Sequence, residues 1–581
     1  MRKLLLPFLL PVAVSCLLSG PELIGQVGFL ESAAAAGIDQ TGLNYGAAVA
    51  DYDRDGREDV FATRLNNGGR LYRNLGSHQF SDVTVATGLA VSPTAQFAVW
   101  GDVNNDGWPD LFLGARDEGN TLYLNNQDGT FQDVTASAGV AAGSKVKALL
   151  MSDVNRDGWL DIYLARLGLE NILYRNNGDG TFTNVVFQSG ATDPLISMGA
   201  VFFDYDNDGD DDLYLTHDAN IPNILYRNNG NGQFTNVSAG SGANIAAMGM
   251  GVDAGDINND GYLDLYVTNL GANNLLLNNG NGTFTDLTAV AGVGDPGMGW
   301  GCVFLDADND GWQDIYLVND SKFSPFPNLL YRNNGDQTFS VVSEGAPLHS
   351  MEAGYGVVTF DADQDGRQDI YLANYGLQAA NQYFVNVTPD DNRWLQLKLE
   401  GQSSNRSAVG ARVFVHAGGS VRTDAVVAGY GWASQNSPVL HFGLGQLDTV
   451  DLLTIHWPSG WIDSFPMVPA NQLLSIMEGD ANEPPVATPT PAGPAPLQWE
   501  TGTGPDGRSV WIRATCPEAI PFLEILMTDL QGRLYHREKY GQLPAGWTTS
   551  LSIPGVGLPA GMYLVSFRTD QAMETSRVLI R

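Results

Sequence analysis

Apolar residues in this chain fall in short runs, not in helical stripes. Ala200-Val201-Phe202-Phe203, Leu111-Phe112-Leu113, Ile162-Tyr163-Leu164 and Ile315-Tyr316-Leu317 have the length and the aliphatic and aromatic character of strands. Before each of the last three runs lies a polar nonapeptide, D-x-[DN]-x-D-G-x-x-D. Copies begin at Asp51, Asp102, Asp153, Asp204, Asp256, Asp306 and Asp361, in steps of 51, 51, 51, 52, 50 and 55 residues. A period near 50 is that of propellers and solenoids. Each copy is flanked by strand-like runs on both sides, so it joins two strands.

Most repeats contain two more runs. Leu173-Tyr174-Arg175 reads as a third strand, Asn176-Asn177-Gly178-Asp179-Gly180 as a tight turn, and Thr181-Phe182 as the start of a fourth; residues 225–234 and 330–339 repeat this. Four antiparallel strands per repeat make a propeller blade, so the sequence predicts an all-β, seven-bladed β-propeller over residues 27–390. Glycines at the start of the first strands (Gly199, Gly249, Gly299, Gly301, Gly354, Gly356) suit a crowded axis. The seventh repeat stops after Gln382-Tyr383-Phe384-Val385-Asn386 without its fourth run. Residues 29–38 resemble that missing piece, as Phe131 through Val140 supplies it elsewhere. The N-terminal segment is therefore expected to complete the last blade and hide its edge.

The nonapeptide also has the ligand spacing of a calcium loop, with side-chain oxygens at positions 1, 3, 5 and 9, a backbone carbonyl at 7 and glycine at the sharp turn. Those side chains are Asp51, Asp53, Asp55 and Asp59 in the first copy, and Asp102, Asn104, Asp106 and Asp110 in the second. Asp153, Asn155, Asp157 and Asp161 form the third, and Asp204, Asp206, Asp208 and Asp212 the fourth. The fifth has Asp256, Asn258, Asp260 and Asp264; the sixth has Asp306, Asp308, Asp310 and Asp314; the seventh has Asp361, Asp363, Asp365 and Asp369. Position 7 varies freely (Arg57, Trp108, Asp210, Tyr262), as expected where only the main chain is used. Hard oxygen ligands suit Ca2+, at up to seven sites, better than magnesium. The alternative, solvated Asp-Gly turns, would leave four inward-facing groups repelling one another. An EF-hand is excluded because strands, not helices, flank each loop.

These repeats resemble the FG-GAP/VCBS repeats of integrin α-chain propellers and their bacterial relatives. Asn392-Arg393-Trp394-Leu395-Gln396, Asn405-Arg406, Val409-Gly410-Ala411-Arg412-Val413, His441-Phe442-Gly443-Leu444-Gly445 and Trp457-Pro458-Ser459-Gly460 resemble the ASPIC/UnbV domain of the cartilage-acidic-protein family, placing a small β-domain at 391–480. The resemblance implies an extracellular calcium-binding propeller without established catalytic residues. Asp529-Leu530-Gln531-Gly532-Arg533, Leu558 through Val565 and Arg577 through Arg581 resemble a type A tail of the type IX secretion system, which makes 499–581 a β-sandwich-like sorting domain behind a Pro-rich linker at 481–498. That would imply export through the type IX machinery and removal of the tail. An adhesion or carbohydrate-binding β-module is the other reading of the same unit.

A formal charge of −35 argues against nucleic acid or an anionic membrane as partner. Twenty-five of the 65 acidic residues occupy loop ligand positions, and the fourteen positive charges of seven divalent ions would leave about −21. Arg2-Lys3 before an apolar run from Leu4 to Leu18 reads as a signal peptide (1–25), too short for a transmembrane anchor. Beyond it only Cys302 and Cys516 remain, so no intramolecular disulfide is expected. None of the seven histidines has zinc spacing; His441 and His456 are expected to pack and Trp457 to be buried in a turn, while Asn405-Arg406 with Arg412 are expected to form a structural ion pair, a carboxylate or sugar site being the other reading. Thr216 to Asn220, Asn319 to Phe323 and Pro347 to Met351 vary most, on the face opposite the calcium loops, where recognition is expected. The function expected is a secreted or cell-surface calcium-binding module engaging a glycan or protein. The alternative, an extracellular polysaccharide lyase or hydrolase, is weakened by only 30 Lys and Arg, too few for handling acidic sugars.

Overall fold

The computed structural model describes residues 27–481, except 118 and 390, and seven strands between 498 and 580. The signal-peptide and most of the linker expectations lie outside these residues. Each acidic nonapeptide connects two antiparallel strands, as between Ser197–Phe203 and Asp212–His217, where Phe203 pairs with Asp212. A five-residue third strand and a three-residue fourth follow, so the repeats build four-stranded antiparallel sheets. In the last repeat the fourth strand is Phe29–Glu31, paired antiparallel with Gln382–Asn386. Both ends of the repeat array thus meet in one sheet. First strands of successive sheets pack against one another, and Gly354–Phe360 of the last packs on Thr41–Ala50 of the first. This cyclic order is consistent with a propeller.

Burial falls from first strand to fourth and explains the residue pattern. First strands such as Ala95–Gly101 are buried along their whole length, and fourth strands such as Phe131–Asp133 bury only the leading Phe. Second-strand tyrosines (Tyr163, Tyr214, Tyr266, Tyr316, Tyr371) stand fully buried between sheets, and the Tyr214 hydroxyl donates to the Ala243 carbonyl at 2.6 Å. The glycine-rich first strands answer a close approach: a Cβ at Gly199 would meet the Met250 carbonyl at 2.2 Å, and one at Gly251 the Trp300 carbonyl at 2.4 Å.

Residues 393–477 form a three-stranded sheet and a four-stranded sheet. Between them the segment 426–439 enters the space enclosed by the first strands. Ala428 accepts a hydrogen bond from the Met151 amide at 2.8 Å, and Ser434–Gln435 pairs in parallel with Ala47 and Ala48. The Gln435 side chain spans the Trp100 backbone, accepting from its N–H at 2.6 Å and donating to its carbonyl at 3.0 Å. Asn436 accepts from the Thr359 amide at 2.8 Å, and the buried Trp432 packs on Phe97 and Trp300. The glycines at the axis therefore make room for an inserted segment as well as for one another. Beyond 498 the strands pair into antiparallel sheets of three and four. Among the described residues no helix is long and apolar enough to cross a membrane.

Candidate metal centres

The seven loops share one backbone fold that aims side-chain oxygens inward. Glycine at position 6 takes φ between 85° (Gly366) and 92° (Gly311), a left-handed turn that L side chains resist. Its N–H donates to the position-1 carboxylate in every loop, for example Gly107 to Asp102 Oδ2 at 2.6 Å and Gly366 to Asp361 Oδ2 at 2.8 Å. The position-7 N–H donates to the position-5 carboxylate, as from Trp159 to Asp157 at 3.1 Å and from Tyr262 to Asp260 at 2.9 Å. The carboxylates at positions 1 and 5 are thus fixed by main-chain N–H groups.

Four loops bring three carboxylates within 4.8 Å of one another: Asp51, Asp53 and Asp59; Asp204, Asp206 and Asp212; Asp306, Asp308 and Asp310; Asp361, Asp363 and Asp365. In the other three, position 3 is Asn and its amide donates to position 5, from Asn104 to Asp106 at 3.0 Å, Asn155 to Asp157 at 2.9 Å and Asn258 to Asp260 at 2.9 Å. Where position 3 is Asp, a basic side chain from outside the loop often meets it. Arg73 meets Asp53 at 2.6 Å, Arg332 meets Asp308 at 2.7 Å, and His78 meets Asp363 at 3.0 Å.

Burial, and then neighbouring carboxylates, push these groups far up. Asp59 is raised to about 9, and Asp110, Asp161, Asp212, Asp264 and Asp314 well above the usual range. Burial raises Asp102 to about 6 and Asp153, Asp256 and Asp361 to about 7. Asp51 Oδ1, Asp161 Oδ2, Asp206 Oδ1 and Asp308 Oδ1 are buried without any hydrogen-bond donor. Orphaned acceptor oxygens crowded together have the chemistry of a site for a hard cation.

Two sets of contacts that sequence reading missed tie the loops to one another. At the end of each third strand an Asn donates its N–H to the position-9 carboxylate of its own loop and its side-chain amide to the position-2 carbonyl of the loop before. Asn125 joins Asp110 to Tyr52, Asn176 joins Asp161 to Val103, and Asn74 joins Asp59 to Ala362, linking first loop to last. Position 4, also left-handed (φ 53–62°), reaches forward: Asn105 to the Gly158 carbonyl at 2.8 Å, and Gln364 to that of Gly56 at 2.6 Å. The only signal in the sequence was the repetition of these asparagines, which turn chemistry alone explained.

The C-terminal sheets sit directly on the loops. Arg412 reaches Asp204 at 2.7 Å, Lys398 reaches Asp51 at 3.0 Å, and Gln396 reaches Asp361 at 2.9 Å. His441 lies between Gln396 and Asn309, with burial holding it down to about 4. Trp457 is buried and donates to Asp463 at 2.9 Å. On the opposite face, Thr216, His217 and Asn319 are packing residues, His217 bonded to Asp193 at 2.6 Å; Ala219, Asn220, Phe323 and Met351 are exposed. Cys302 is a buried free thiol.

Comparison with known proteins agrees with this division. FG-GAP-like repeats match at 51–113, 102–164, 153–215, 204–267, 256–317 and 306–372, and the ASPIC and UnbV family matches 401–483. Cartilage acidic protein 1 of Homo sapiens is 25% identical over 478 residues, covering 76% of this chain and 63% of that protein; the Mus musculus protein is 25% identical over 484 residues, covering 76% and 65%. The chain therefore spans less than two thirds of these curated relatives. Among solved structures, BBS1N in complex with ARL6DN is similar at TM-score 0.40 and 10% identity, covering 62% of this chain and 98% of that one. An Agrocybe aegerita lectin that recognises non-reducing terminal N-acetylglucosamine is similar at TM-score 0.36 and 21% identity, covering 53% and 82%.

Proposed function

The chain belongs to the FG-GAP-like repeat family, whose repeats cover residues 51–372, and from that premise we propose that it is an exported, calcium-loaded, seven-bladed β-propeller that acts as a binding or adhesion module for a glycan or protein. The observation that carries calcium is the set of orphaned, buried carboxylate oxygens at Asp51, Asp161, Asp206 and Asp308, inside loops whose position-1 carboxylates are held by backbone N–H groups. When bound, the ion supplies charge neutralisation and cross-linking of the loop; the chain's own residues shape the cage. Counting ions on purified, dialysed protein tests this: seven tightly held calcium ions are expected, and none would overturn the assignment.

The C-terminal sheets cover the loop face, which leaves the opposite face, with exposed Asn220, Phe323 and Met351, for a partner. A lyase centred on the axis is disfavoured because segment 426–439 fills it and burial pushes the axial Tyr45 hydroxyl up to about 12. Screening the calcium-loaded protein on glycan arrays and in pull-downs, with Asn220 and Phe323 replaced by alanine as controls, tests the face assignment. Loss of ligand capture on those changes is expected.

We further propose export in two steps, with the unit from 499 removed as a type IX sorting tail. Mature protein should end between 480 and 500. Recovery of chains ending at Arg581 outside the cell would promote the adhesion-module reading.

A further inference from the structure

Where the C-terminal sheets rest on loops 1, 2 and 7 (residues 51–59, 102–110 and 361–369), they leave a cavity of about 630 Å³. That is the size range of small-molecule sites, which favour such junctions. We propose that this cavity binds a neutral polyhydroxylated molecule of one or two sugar rings.

Charge comes first. The cations at the cavity are already matched: Lys398 by Asp51 at 3.0 Å, and Arg54 and Arg406 by Glu400 at 3.7 and 2.9 Å. An anionic guest would find no free cation there and would face the Asp480 carboxyl as well. Hydrogen-bonding capacity comes second, and it is mixed. Gln396 spends its amide N–H on Asp361 and keeps its carbonyl oxygen free; Gln368 spends its carbonyl on the Asp306 amide and keeps its NH2. Glu58 takes one hydroxyl, that of Ser437 at 2.5 Å, and Ser475 lies exposed on the rim. Separate donors and acceptors on facing walls suit hydroxyl groups, each of which donates and accepts. The remaining wall is apolar, with Phe360 behind the loops and Ile476 on the covering sheet, as the C–H faces of a pyranose require. The site is distinct from the exposed far face and does not depend on the partner proposed there.

The test uses the calcium-loaded full chain and glucose, galactose, mannose and maltose as probes, followed by ligand-observed NMR and calorimetry. At least one sugar should bind saturably. Ser475→Trp, which fills the cavity from its exposed rim, should weaken that binding by about tenfold or more, with the unfolding midpoint unchanged. Should S475W lower the midpoint, Ser475→Ala decides in its place, with a severalfold loss expected. Absence of binding by all four sugars, or equal affinity in the Ser475 variants, overturns the proposal. So does saturable binding of butylamine in place of the sugars, which would make Glu58 the anchor of a cationic guest.

Discussion

The Arg412 guanidinium donates to Oδ2 of Asp204 at 2.7 Å, with the two side chains 5% and 1% exposed, so a residue of the C-terminal sheets is bonded to position 1 of the fourth acidic loop. Removing one partner of a buried pair strands the other and costs about 3–5 kcal/mol. Arg412→Ala should therefore lower unfolding stability by about 3 kcal/mol. Arg70→Ala, which breaks the exposed pair with Asp82, should cost less than about 1 kcal/mol. Denaturant unfolding of both variants, calcium present, checks the contrast; equal losses would mean that the covering sheets are not anchored through Arg412.

Calcium removal should be costly. An ion held only by the folded state, at tenfold over its dissociation constant, adds about 1.4 kcal/mol, and seven such sites add about 10 kcal/mol, on the scale of a whole domain's 5–15 kcal/mol. Chelation should lower the melting temperature sharply, and magnesium should restore little of it. An unchanged melting curve rejects the ion assignment.

The two forms should respond to pH in opposite directions. Folded and metal-free, Asp153, Asp256 and Asp361 titrate near 7 and Asp102 near 6, against about 4 when unfolded. Between those limits the folded state holds more protons, so stability falls as pH rises from about 4 to about 7. Metal-free protein should melt higher at pH 5 than at pH 7.5. Loaded protein should melt lower at pH 5, because protons compete with calcium for the same oxygens. Parallel slopes with and without calcium would contradict this.

Much of this was legible in the residues because it was periodic. The Asp spacing located every loop, and the alternation of short apolar runs with Gly-rich turns located the strands. Even the split repeat could be read, since Phe29 through Ile38 has the same pattern as Phe131 through Val140. What escaped was contact between distant segments. Nothing near Trp432 or Gln435 marks them as an axial insert, because their partners, Trp300 and Trp100, lie more than a hundred residues away. Likewise the sequence marks Arg412 for an ion pair but not its partner, and the structure supplies Asp204, as it supplies Asp51 for Lys398.

The strand supplied by the N-terminus should be indispensable. Phe29 and Ile38 are buried, and Phe29–Glu31 covers the edge of Gln382–Asn386. Deleting 27–39 exposes a strand edge beside a vacated core and should cause aggregation or loss of cooperative unfolding. Deleting residues from 499 onward should leave the melting transition of the remainder intact. Wild-type-like unfolding of the N-terminal deletion would refute the split sheet.

The asparagine bridges predict that neighbouring loops fill together. Asn125 is buried, its N–H held by Asp110 at 2.8 Å and its side-chain amide held by the Tyr52 carbonyl at 2.8 Å. Tyr52 belongs to loop 1, while Asp110 and Pro109, whose carbonyl also accepts from the Asn125 amide at 3.2 Å, belong to loop 2, so one residue ties the two loops together. Asn125→Leu keeps the backbone bond but leaves the Tyr52 carbonyl without its donor, at a cost of about 1–3 kcal/mol. The strain falls on position 2 of loop 1, next to Asp51, and on the strand that holds Asp110. Calcium titration followed by ion counting should then show two loops filling late, not one. Asn126→Ala, at the exposed neighbour that bonds only Thr130, is the control and should titrate like wild type. Loss confined to a single ion would show that the loops bind independently, with the asparagines serving only to pack adjacent sheets.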